Sequence, residues 1–463
     1  MPFRLSPSAA ATAALIVAGF VLCVVVNFPG HLSFDSVVQL FEGRTGIYGN
    51  WHPPMMSWLL GIFDAIMPGT GLFVIFDAGL LFASLAGLLW LNPRPSLAAA
   101  AVLALCLLTP QFLLYQGIVW KDVLFADLSV AGFVCLAVAG ERWPRQRWRF
   151  ALAALGFGLL IVATLVRQNG ALVLPAGAAT LAWFAWTQSA RHKNRAAATY
   201  GLCALIGASL AVIAIHSALA LRVAGNPSPT VQFRLLQFYD LIGALKTEPT
   251  LALPRFDDDD PELEQLMRSD GVRLYTAQRN DTLVQSARLQ RAYFDSPDDI
   301  ISAQWHDLIV QHPGLYLRVR SEVFRWIVLT PDLAACRPIY TGVSGPPQMM
   351  RRLGLTTRFD GRDTALGNYS QKFMGTPVFS HGAYAVLALG LLVVLFARRR
   401  AADIALAFLL LAAFAFTASF FVISIACDYR YLYVLDLATL VAAFHVALDW
   451  RTAWAAVRPQ HFR

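Results

Sequence analysis

Six polar side chains in a predominantly apolar chain have the types and positions needed for proton transfer and phosphate binding. They are Asp35, His52, Lys121, Asp122, Arg167 and Arg430. A carboxylate can accept the proton of an attacking hydroxyl group. Lysine neutralises a phosphate as a point charge, and arginine binds it as a planar fork. Together these residue types predict a site that holds a phosphate and activates a hydroxyl beside it.

Asp35 lies in the segment FPGHLSFDSVVQLFEG, directly after the first apolar run. Ser33 is placed to cap a short helix, so that Asp35 falls in its first turn. Asp35, Gln39 and Glu42 then lie along one face of that helix. The helix dipole favours an ionised carboxylate in the first turn, which suits a general base. A solvated aspartate at a helix start is the alternative interpretation.

His52 closes the same loop in the sequence NWHPPMMSW. Pro53 and Pro54 fix an extended backbone, which predicts a set orientation for Trp51 and His52. An ordinary turn with a tryptophan at the membrane interface explains these residues equally well.

Lys121 and Asp122 begin an apolar run in the segment GIVWKDVLFA. Adjacent residues on a helix point apart, so we expect different partners, for example a phosphate for Lys121 and a hydroxyl or backbone amide for Asp122. Snorkelling of Lys121 with simple capping by Asp122 is the alternative.

Two later turns carry the remaining polar residues. In TLVRQNGALVLP, a tight turn between apolar runs is expected to bring Arg167, Gln168 and Asn169 to the outer interface. Ordinary helix capping by Arg167 before Gly170 is the alternative. In ACDYRYLYVLDL, Arg430 is a candidate for an anionic head group, whereas the tyrosines around it are also typical of an aromatic belt.

Long apolar runs separate these residues and must position them. Of the 463 residues, 57% are hydrophobic and 14% are charged, and several runs approach the roughly 20 residues that cross a bilayer as a helix. In lipid only helices and closed barrels satisfy the backbone, and runs this rich in Leu and Ala indicate helices. The sequence therefore predicts an all-α polytopic membrane protein with about ten transmembrane helices. The expected spans are residues 8–28, 72–91, 97–114, 122–140, 150–166, 171–187, 200–221, 382–397, 402–426 and 430–448.

The basic residues of the short loops predict the orientation in the membrane. Ten spans place four basic clusters on the same side as both termini, where Arg4 and Arg458 lie. The clusters are Arg94, Arg142–Arg149, Arg191–Arg195 and Arg398–Arg400. The positive-inside rule makes that side cytoplasmic, and the six chemical residues fall on the periplasmic side. The net charge of +8 follows from this topology, and no basic face with interleaved aromatic residues indicates nucleic-acid binding.

Three stretches of chain follow from this topology. We expect an N-terminal transmembrane core at 1–221 with its first outer loop at 29–71, a mainly helical periplasmic region at 222–381, and C-terminal transmembrane helices at 382–463. The first outer loop should carry interfacial helices. In the periplasmic region an amphipathic pattern, broken at Pro313, predicts a set of inward-facing residues. They are Trp305, Leu308, Ile309, Leu317, Phe324 and Ile327.

The six cysteines show no CxxC spacing, so a zinc site is not expected. Cys336 and Cys427 both fall on the predicted outer side. A disulfide between them and two free thiols are both compatible with the sequence.

The segments FDSVVQ, WHPPMMSW, GIVWKDVLFA and RQNG together resemble bacterial membrane glycosyltransferases of the GT-C superfamily, in their dolichyl-phosphate-mannose transferase-like and aminoarabinose transferase-like branches. The resemblance covers roughly residues 1–190, and the remainder by topology only. It implies inverting transfer of a sugar from a polyprenyl-phosphate donor to a periplasmic or lipid-linked glycan, or to a lipid or protein acceptor, at the bacterial inner membrane.

The resemblance also implies roles for individual residues. Asp35 matches the catalytic aspartate of the family's first outer loop, and Lys121, Arg167 and Arg430 would bind the lipid phosphate. The other substrate-binding candidates are His52, Asp122 and Asn169. Ser36 follows Asp35 where many relatives have a second acidic residue, so neither a metal nor another cofactor is expected.

Two other functions remain open at this point. A flippase or transporter for a polyprenyl-linked glycan would also need cations that meet a phosphate, and its mark is ionisable residues within spans. Asp77 and Asp127 have such positions, although most charged residues lie at one surface. A structural or assembly protein would leave the outer residues far apart from one another.

Overall fold

The computed structural model describes residues 6–189, 191–224, 230–259, 261–295 and 298–457. Arg4 and Arg458, which entered the orientation argument, lie outside these residues. Over the described ranges the protein is α-helical, and its only extended pairings are isolated bridges. Nine of the described helices are long and apolar enough to cross a membrane, and the number is ten when one bent pair of helices is counted as a single span. The predicted all-α polytopic fold is confirmed.

The N-terminal part of the chain alternates long spans with short helices. Its helices are α1 (Pro7–Asn27), α2 (Phe34–Thr45), α3 (Pro54–Ile66), α4 (Gly71–Trp90), α5 (Leu97–Leu107), α6 (Pro110–Leu113), α7 (Lys121–Glu141), α8 (Gln146–Val166), α9 (Val173–Gln188) and α10 (Lys193–Ala220). α2 and α3, with 12 and 13 residues, are too short to cross a bilayer. The helix pair from α5 to Gly117 bends by 76° at the break before Pro110, where proline cannot continue a helix.

The remaining helices follow in chain order. They are α11 (Thr230–Thr247), α12 (Pro254–Asp259), α13 (Pro261–Leu266), α14 (Val272–Leu274), α15 (Ala287–Asp295), α16 (Asp298–Gln311), α17 (Pro313–Leu329), α18 (Pro347–Leu353), α19 (Gly361–Gln371), α20 (His381–Arg398), α21 (Ala401–Ile423), α22 (Tyr433–Leu448) and α23 (Trp450–Val457). The chain forms two compact units. The first comprises Met1–Ala224, Ile339–Phe416 and Leu432–Arg463, and the second comprises Gly225–Pro338 and Thr417–Tyr431. Residues 339–381 thus belong to the unit that contains the N-terminal spans.

In the first unit, the most buried spans are α7 and α22, with 94% and 83% of their apolar windows inside the protein. Close helix packing explains the burial of α7. A side chain on Gly156 of α8 would lie 2.9 Å from the Gly132 carbonyl oxygen of α7, so the two glycines allow the backbones to meet, as small residues do between membrane helices.

Contacts within the first unit show which helix ends lie on the same side of its spans. At one end, the Ser96 amide donates to the Leu448 carbonyl at 2.9 Å, and Arg142 stacks on Trp90. At the other end, the Tyr48 amide donates to the carbonyl of Arg222 at 3.1 Å. The first loop therefore lies at the same helix ends as the exit of α10.

The second unit is a helical domain built around α11. Its buried core contains an ion pair between Arg320 and Asp240, whose side chains meet at 2.8 Å. The Trp305 indole also donates to Asp240 at 3.0 Å, and Arg320 donates to the Phe421 carbonyl at 2.7 Å. A fully buried charge pair is tolerated because these hydrogen bonds replace those lost to water.

The inward-facing residues that the sequence predicts for this unit are only partly correct. Helices α16 and α17 meet at the predicted break, and Leu308 and Ile327 are buried, but Leu317 is 51% exposed. Pro313 starts a new helix whose phase is independent of α16, so the inward face of α17 runs through Leu315, Val319 and Val323 instead.

A disulfide joins Cys336 to Cys427 within the second unit. It closes a loop with a sequence separation of 91, so it restricts the unfolded chain strongly. We expect Cys336→Ser to lower the free energy of unfolding of this unit by about 2–4 kcal/mol. Thermal unfolding in detergent, followed by intrinsic fluorescence, would measure the loss. The buried thiol of Cys106 supplies the control, because Cys106→Ala removes no cross-link. A Cys336→Ser protein that unfolds like the wild type would contradict the prediction.

Candidate active site in the first loop

Two side-chain hydrogen bonds fix the start of α2 against the segment that precedes α7, and a third closes the first turn of α2 itself. The Ser36 hydroxyl donates to the Val119 carbonyl at 2.7 Å, and the Trp120 indole donates to the Ser33 hydroxyl at 3.0 Å. The Ser33 amide donates in turn to Ser36 at 3.2 Å. The predicted cap at Ser33 is therefore part of a long-range anchor that holds the first turn of α2 beside the start of α7.

The backbone before α2 is held from two sides. The His31 amide donates to the Gly117 carbonyl at 2.8 Å, and the Leu32 amide donates to the Gly342 carbonyl at 2.9 Å. Gly342 has a φ of +91°, a conformation that glycine adopts without steric cost. Its amide donates to Nδ1 of the buried His31 at 3.0 Å. A segment distant in sequence thus helps to position the loop that carries Asp35.

Burial lowers the pKa of His31 to about 4, although the nearby Asp363 carboxylate acts in the opposite direction. Since Nδ1 accepts a hydrogen bond from Gly342, the native imidazole is neutral with its proton on Nε2, next to Asn27 at 3.1 Å. The unfolded chain takes up a proton near pH 6.5, whereas the folded protein resists it. The stability is fully present above pH 6.5 and falls as the pH is lowered towards about 4.

We expect protonation of His31 to lower the free energy of unfolding by about 3 kcal/mol as the pH falls from 6.5 to about 4. The measurement is the thermal midpoint in detergent between pH 7 and pH 4, for the wild type and for His31→Gln. The variant should show a smaller decline, because its side chain does not titrate. His306, whose side chain is 72% exposed, provides the control, and His306→Gln should decline like the wild type. Equal slopes in all three proteins would refute the assignment.

α2 and α3 form a hairpin with direct backbone contact. A side chain on Gly43 would lie 2.2 Å from the Ser57 carbonyl oxygen, so no larger residue fits there. Arg44 binds both carboxylate oxygens of Asp64 at 2.7 and 2.6 Å. Glu42 accepts from the Ser57 hydroxyl at 2.6 Å. The hairpin is therefore a rigid support for the residues at its two ends, rather than a flexible loop.

Burial raises the pKa of Glu42, although hydrogen bonds from Ser57 and from the Gly49 amide oppose the shift. Asp64 also lies in a partly desolvated position, but the hydrogen bonds from Arg44 and from the Gly69 amide lower its pKa. Both carboxylates serve to hold the hairpin together.

The hairpin brings Asp35, His52 and Lys121 into one row. Nε2 of His52 lies 3.7 Å from Oδ1 of Asp35, and Nδ1 of His52 lies 3.0 Å from Nζ of Lys121. A protonated lysine can only donate, so Nδ1 accepts, and the imidazole proton is on Nε2, towards Asp35. The Asp35 side chain is 29% exposed, whereas that of His52 is 9% exposed. The carboxylate is thus more accessible to an incoming molecule than the imidazole is.

Asp122 and Arg167 pair with each other beside this row. Nη1 of Arg167 lies 2.5 Å from Oδ1 of Asp122, and their side chains are 6% and 2% exposed. The Arg167 guanidinium also lies over the ring of Phe416, at 5.7 Å from its centroid. The predicted tight turn follows, with the Gly170 amide donating to the Arg167 carbonyl at 3.0 Å. Asn169 lies in this turn and is partly buried.

Arg430 belongs to the second compact unit. It lies 3.4 Å from Asp428, and Asp428 also binds Arg279 at 3.0 Å. The Arg430 guanidinium lies over the ring of Tyr431, at 5.7 Å from its centroid. Five of the six polar residues singled out at the start are therefore found in the first unit, and Arg430 in the second.

Sequence reasoning missed the residues that support the site. Ser36, Trp120 and His31 make its long-range hydrogen bonds, and only the density of polar and aromatic types in these segments could have drawn attention to them. In the part of the chain that the structure describes, no group of three or more His, Cys, Asp or Glu side chains is arranged to hold a metal ion.

No protein-family model and no curated protein matches the chain. Among solved structures, it is similar to the oligosaccharyltransferase of Archaeoglobus fulgidus in complex with Zn and sulfate, with a TM-score of 0.42 and 12% identity over 96% of this chain and 50% of that one. The same archaeal protein, in complex with an inhibitory peptide and a dolichol-phosphate, gives a TM-score of 0.41 and 13% identity over 97% of this chain and 52% of that one.

The chain thus spans about half the length of these solved proteins. At these values the likeness assigns neither a family nor an activity to the chain.

Proposed function

We propose that the chain is an inverting glycosyltransferase that moves a sugar from a polyprenyl-phosphate donor to a glycan acceptor at the periplasmic face of a bacterial inner membrane. The observation that supports this most strongly is the row formed by Asp35, His52 and Lys121. In this row His52 contacts the partly exposed Asp35 carboxylate on one side and the Lys121 ammonium on the other, at the starts of α2 and α7.

In the proposed reaction, Asp35 accepts the proton of the acceptor hydroxyl while that oxygen attacks the anomeric carbon of the donor sugar. The bond from that carbon to the phosphate oxygen breaks, and the polyprenyl phosphate leaves with the electron pair. Attack opposite the leaving group inverts the anomeric centre. Lys121 stabilises the charge that develops on the phosphate.

His52 has a positioning role in this scheme. Its contact with Lys121 keeps the Nε2 proton directed at Asp35, which favours the ionised carboxylate that a base requires.

Arg167 is the second proposed phosphate ligand. Its Nη1 contacts Asp122, which sets the direction of the planar guanidinium fork. The ion pair therefore orients the arginine as well as balancing its charge. Asn169, in the turn after Arg167, is proposed to contact the head group of the donor.

A flippase for a polyprenyl-linked glycan is the second candidate function, and one feature within the spans favours it. Asp77 and Asp127 are buried at 1% and 0% exposure, and Gln116 connects Asp127 to Tyr433 at 3.2 and 3.1 Å. Ionisable groups at this depth are costly and often functional. They lie within the spans, whereas Asp35 and Lys121 lie at helix starts, where surface chemistry would occur.

The experiment that tests the proposal is a transfer assay in detergent micelles. The purified full chain is incubated with lipid-linked sugars and glycans extracted from a strain lacking its gene, and the products are analysed by mass spectrometry. A transferase releases polyprenyl phosphate in micelles. A flippase moves a lipid between two leaflets without cleaving it, so it releases no polyprenyl phosphate in this assay. Release by the wild type is the expected result. Absence of release, combined with restored flipping in proteoliposomes, would assign the chain to the second function.

A further inference from the structure

A groove between three spans of the first unit lies apart from the candidate active site. It has a volume of about 610 Å³ and runs between α8, α9 and α10. Apolar side chains form most of its wall, among them Phe157, Ile161 and Leu181. A side chain built on Gly207, which also lines the groove, would meet no atom within 4 Å. The groove is therefore open space of a size that accommodates a lipid-sized ligand.

One end of this apolar groove carries a cation. Arg149, near the start of α8, lines the groove together with three aromatic residues. Its guanidinium lies 4.9 Å from the ring centroid of Trp143, 4.7 Å from that of Phe150 and 5.6 Å from that of Tyr200. Nη1 donates to the Trp143 carbonyl at 3.4 Å. Nε of Arg149 is buried and makes no hydrogen bond with any of the residues that the structure describes.

We propose that this groove binds an anionic glycerophospholipid, with an acyl chain along α8 and α10 and the head-group phosphate on Arg149. An acyl chain matches the apolar walls. An arginine held by stacked aromatic rings has its orientation fixed in advance, which favours binding of phosphate oxygens. Basic pockets between membrane helices bind anionic head groups in this way. A zwitterionic lipid offers the same chain but also brings a positive charge to the arginine.

The proposed lipid is distinct from the glycosyl donor. Arg149 and Arg167 stand near opposite ends of α8, and 18 residues of helix correspond to about 27 Å. The donor phosphate is proposed to bind near Arg167, so the phospholipid phosphate would lie at the other membrane face. The groove would thus hold a structural lipid that stabilises the packing of α10 on α8 and α9.

The test is native mass spectrometry of the purified full chain in detergent, with added phosphatidylglycerol or phosphatidylcholine. We expect the wild type to retain phosphatidylglycerol about tenfold more than phosphatidylcholine, because the choline ammonium beside the phosphate repels the guanidinium and weakens their charge-assisted contact by about that factor. Arg149→Gln should remove the preference. Arg147→Gln is the matched control, because Arg147 is an exposed arginine on the same helical turn, and it should bind lipid like the wild type.

A second variant tests the groove independently of the charge. Gly207→Leu fills the open space and should abolish lipid retention, while Gly158→Leu, on α8 outside the groove and also facing open space, should leave it unchanged. Equal retention of both lipids by the wild type, or full retention by Arg149→Gln, would overturn the proposal. A lipid-free wild-type dimer that Gly207→Leu separates would overturn it too and assign the groove to a second copy of the chain.

Discussion

Asp35→Asn is expected to lower sugar transfer by a factor of about 10²–10⁴, the range that a general base contributes. Asparagine has nearly the shape of aspartate, but its amide cannot accept the proton of the acceptor hydroxyl. Asp35 is partly exposed and is placed by the capped turn around Ser33 and Ser36, so the substitution should leave the fold unchanged. The measurement is the rate of polyprenyl phosphate release in the micelle assay at saturating donor.

Glu322→Gln provides the matched control for this experiment. Glu322 is 48% exposed and lies 3.4 Å from the exposed Arg325, so neutralising it costs little and should not change the rate. Full transfer activity in an Asp35→Asn protein with the wild-type unfolding temperature would remove Asp35 from the reaction. If the transfer rate and the unfolding temperature of Asp35→Asn fall together, Asp35→Glu is the second variant to measure. It keeps a carboxylate base and should recover part of the transfer rate.

Arg167→Gln is expected to destabilise the protein by about 3–5 kcal/mol, because it leaves the buried Asp122 carboxylate without its cation. Asp122→Asn should lower the stability by a similar amount, because it leaves the buried Arg167 guanidinium without the Asp122 carboxylate. The double variant Arg167→Gln with Asp122→Asn removes both charges and should recover most of the loss. Thermal unfolding of the four proteins in detergent forms the double-mutant cycle. Additive losses in the double variant would show that the pair contributes no coupling energy.

The double variant also separates the structural role of Arg167 from its proposed role in binding. If Arg167 binds the donor phosphate, the stable double variant should still have a raised KM for the donor, with a smaller change in kcat. Arg44, which is paired with Asp64 on the hairpin, gives the comparison for a purely structural arginine. A donor KM equal to that of the wild type in the double variant would limit Arg167 to holding Asp122.

Much of the fold was predictable because lipid leaves few choices. Runs of apolar residues near 20 in length can only be spanning helices, and the expected spans at 72–91 and 382–397 agree with α4 and α20 to within one residue. The short helix that begins after Ser33 was also predictable, since a capping serine and an acidic first turn are local signals. Each of these predictions depended on neighbouring residues alone.

The contacts that build the site were not predictable in the same way. Arg167 and Asp122 are 45 residues apart, and the Gly342 amide reaches His31 across 311 residues. No local pattern marks such pairs. The buried Arg320 is a second example, because periodicity treats every arginine as a surface residue until a buried partner such as Asp240 is known.

The start of α7 shows how one helix turn can organise the site. Successive residues on a helix are rotated by about 100°, so Lys121 and Asp122 point in different directions. Lys121 meets His52 from the α2–α3 hairpin, and Asp122 meets Arg167 from the end of α8. One buried helix therefore fixes both the base and the proposed phosphate ligand from a single turn. Substitutions that tilt this turn should disturb both functions together, whereas changes at Asp35 or Arg167 should separate them.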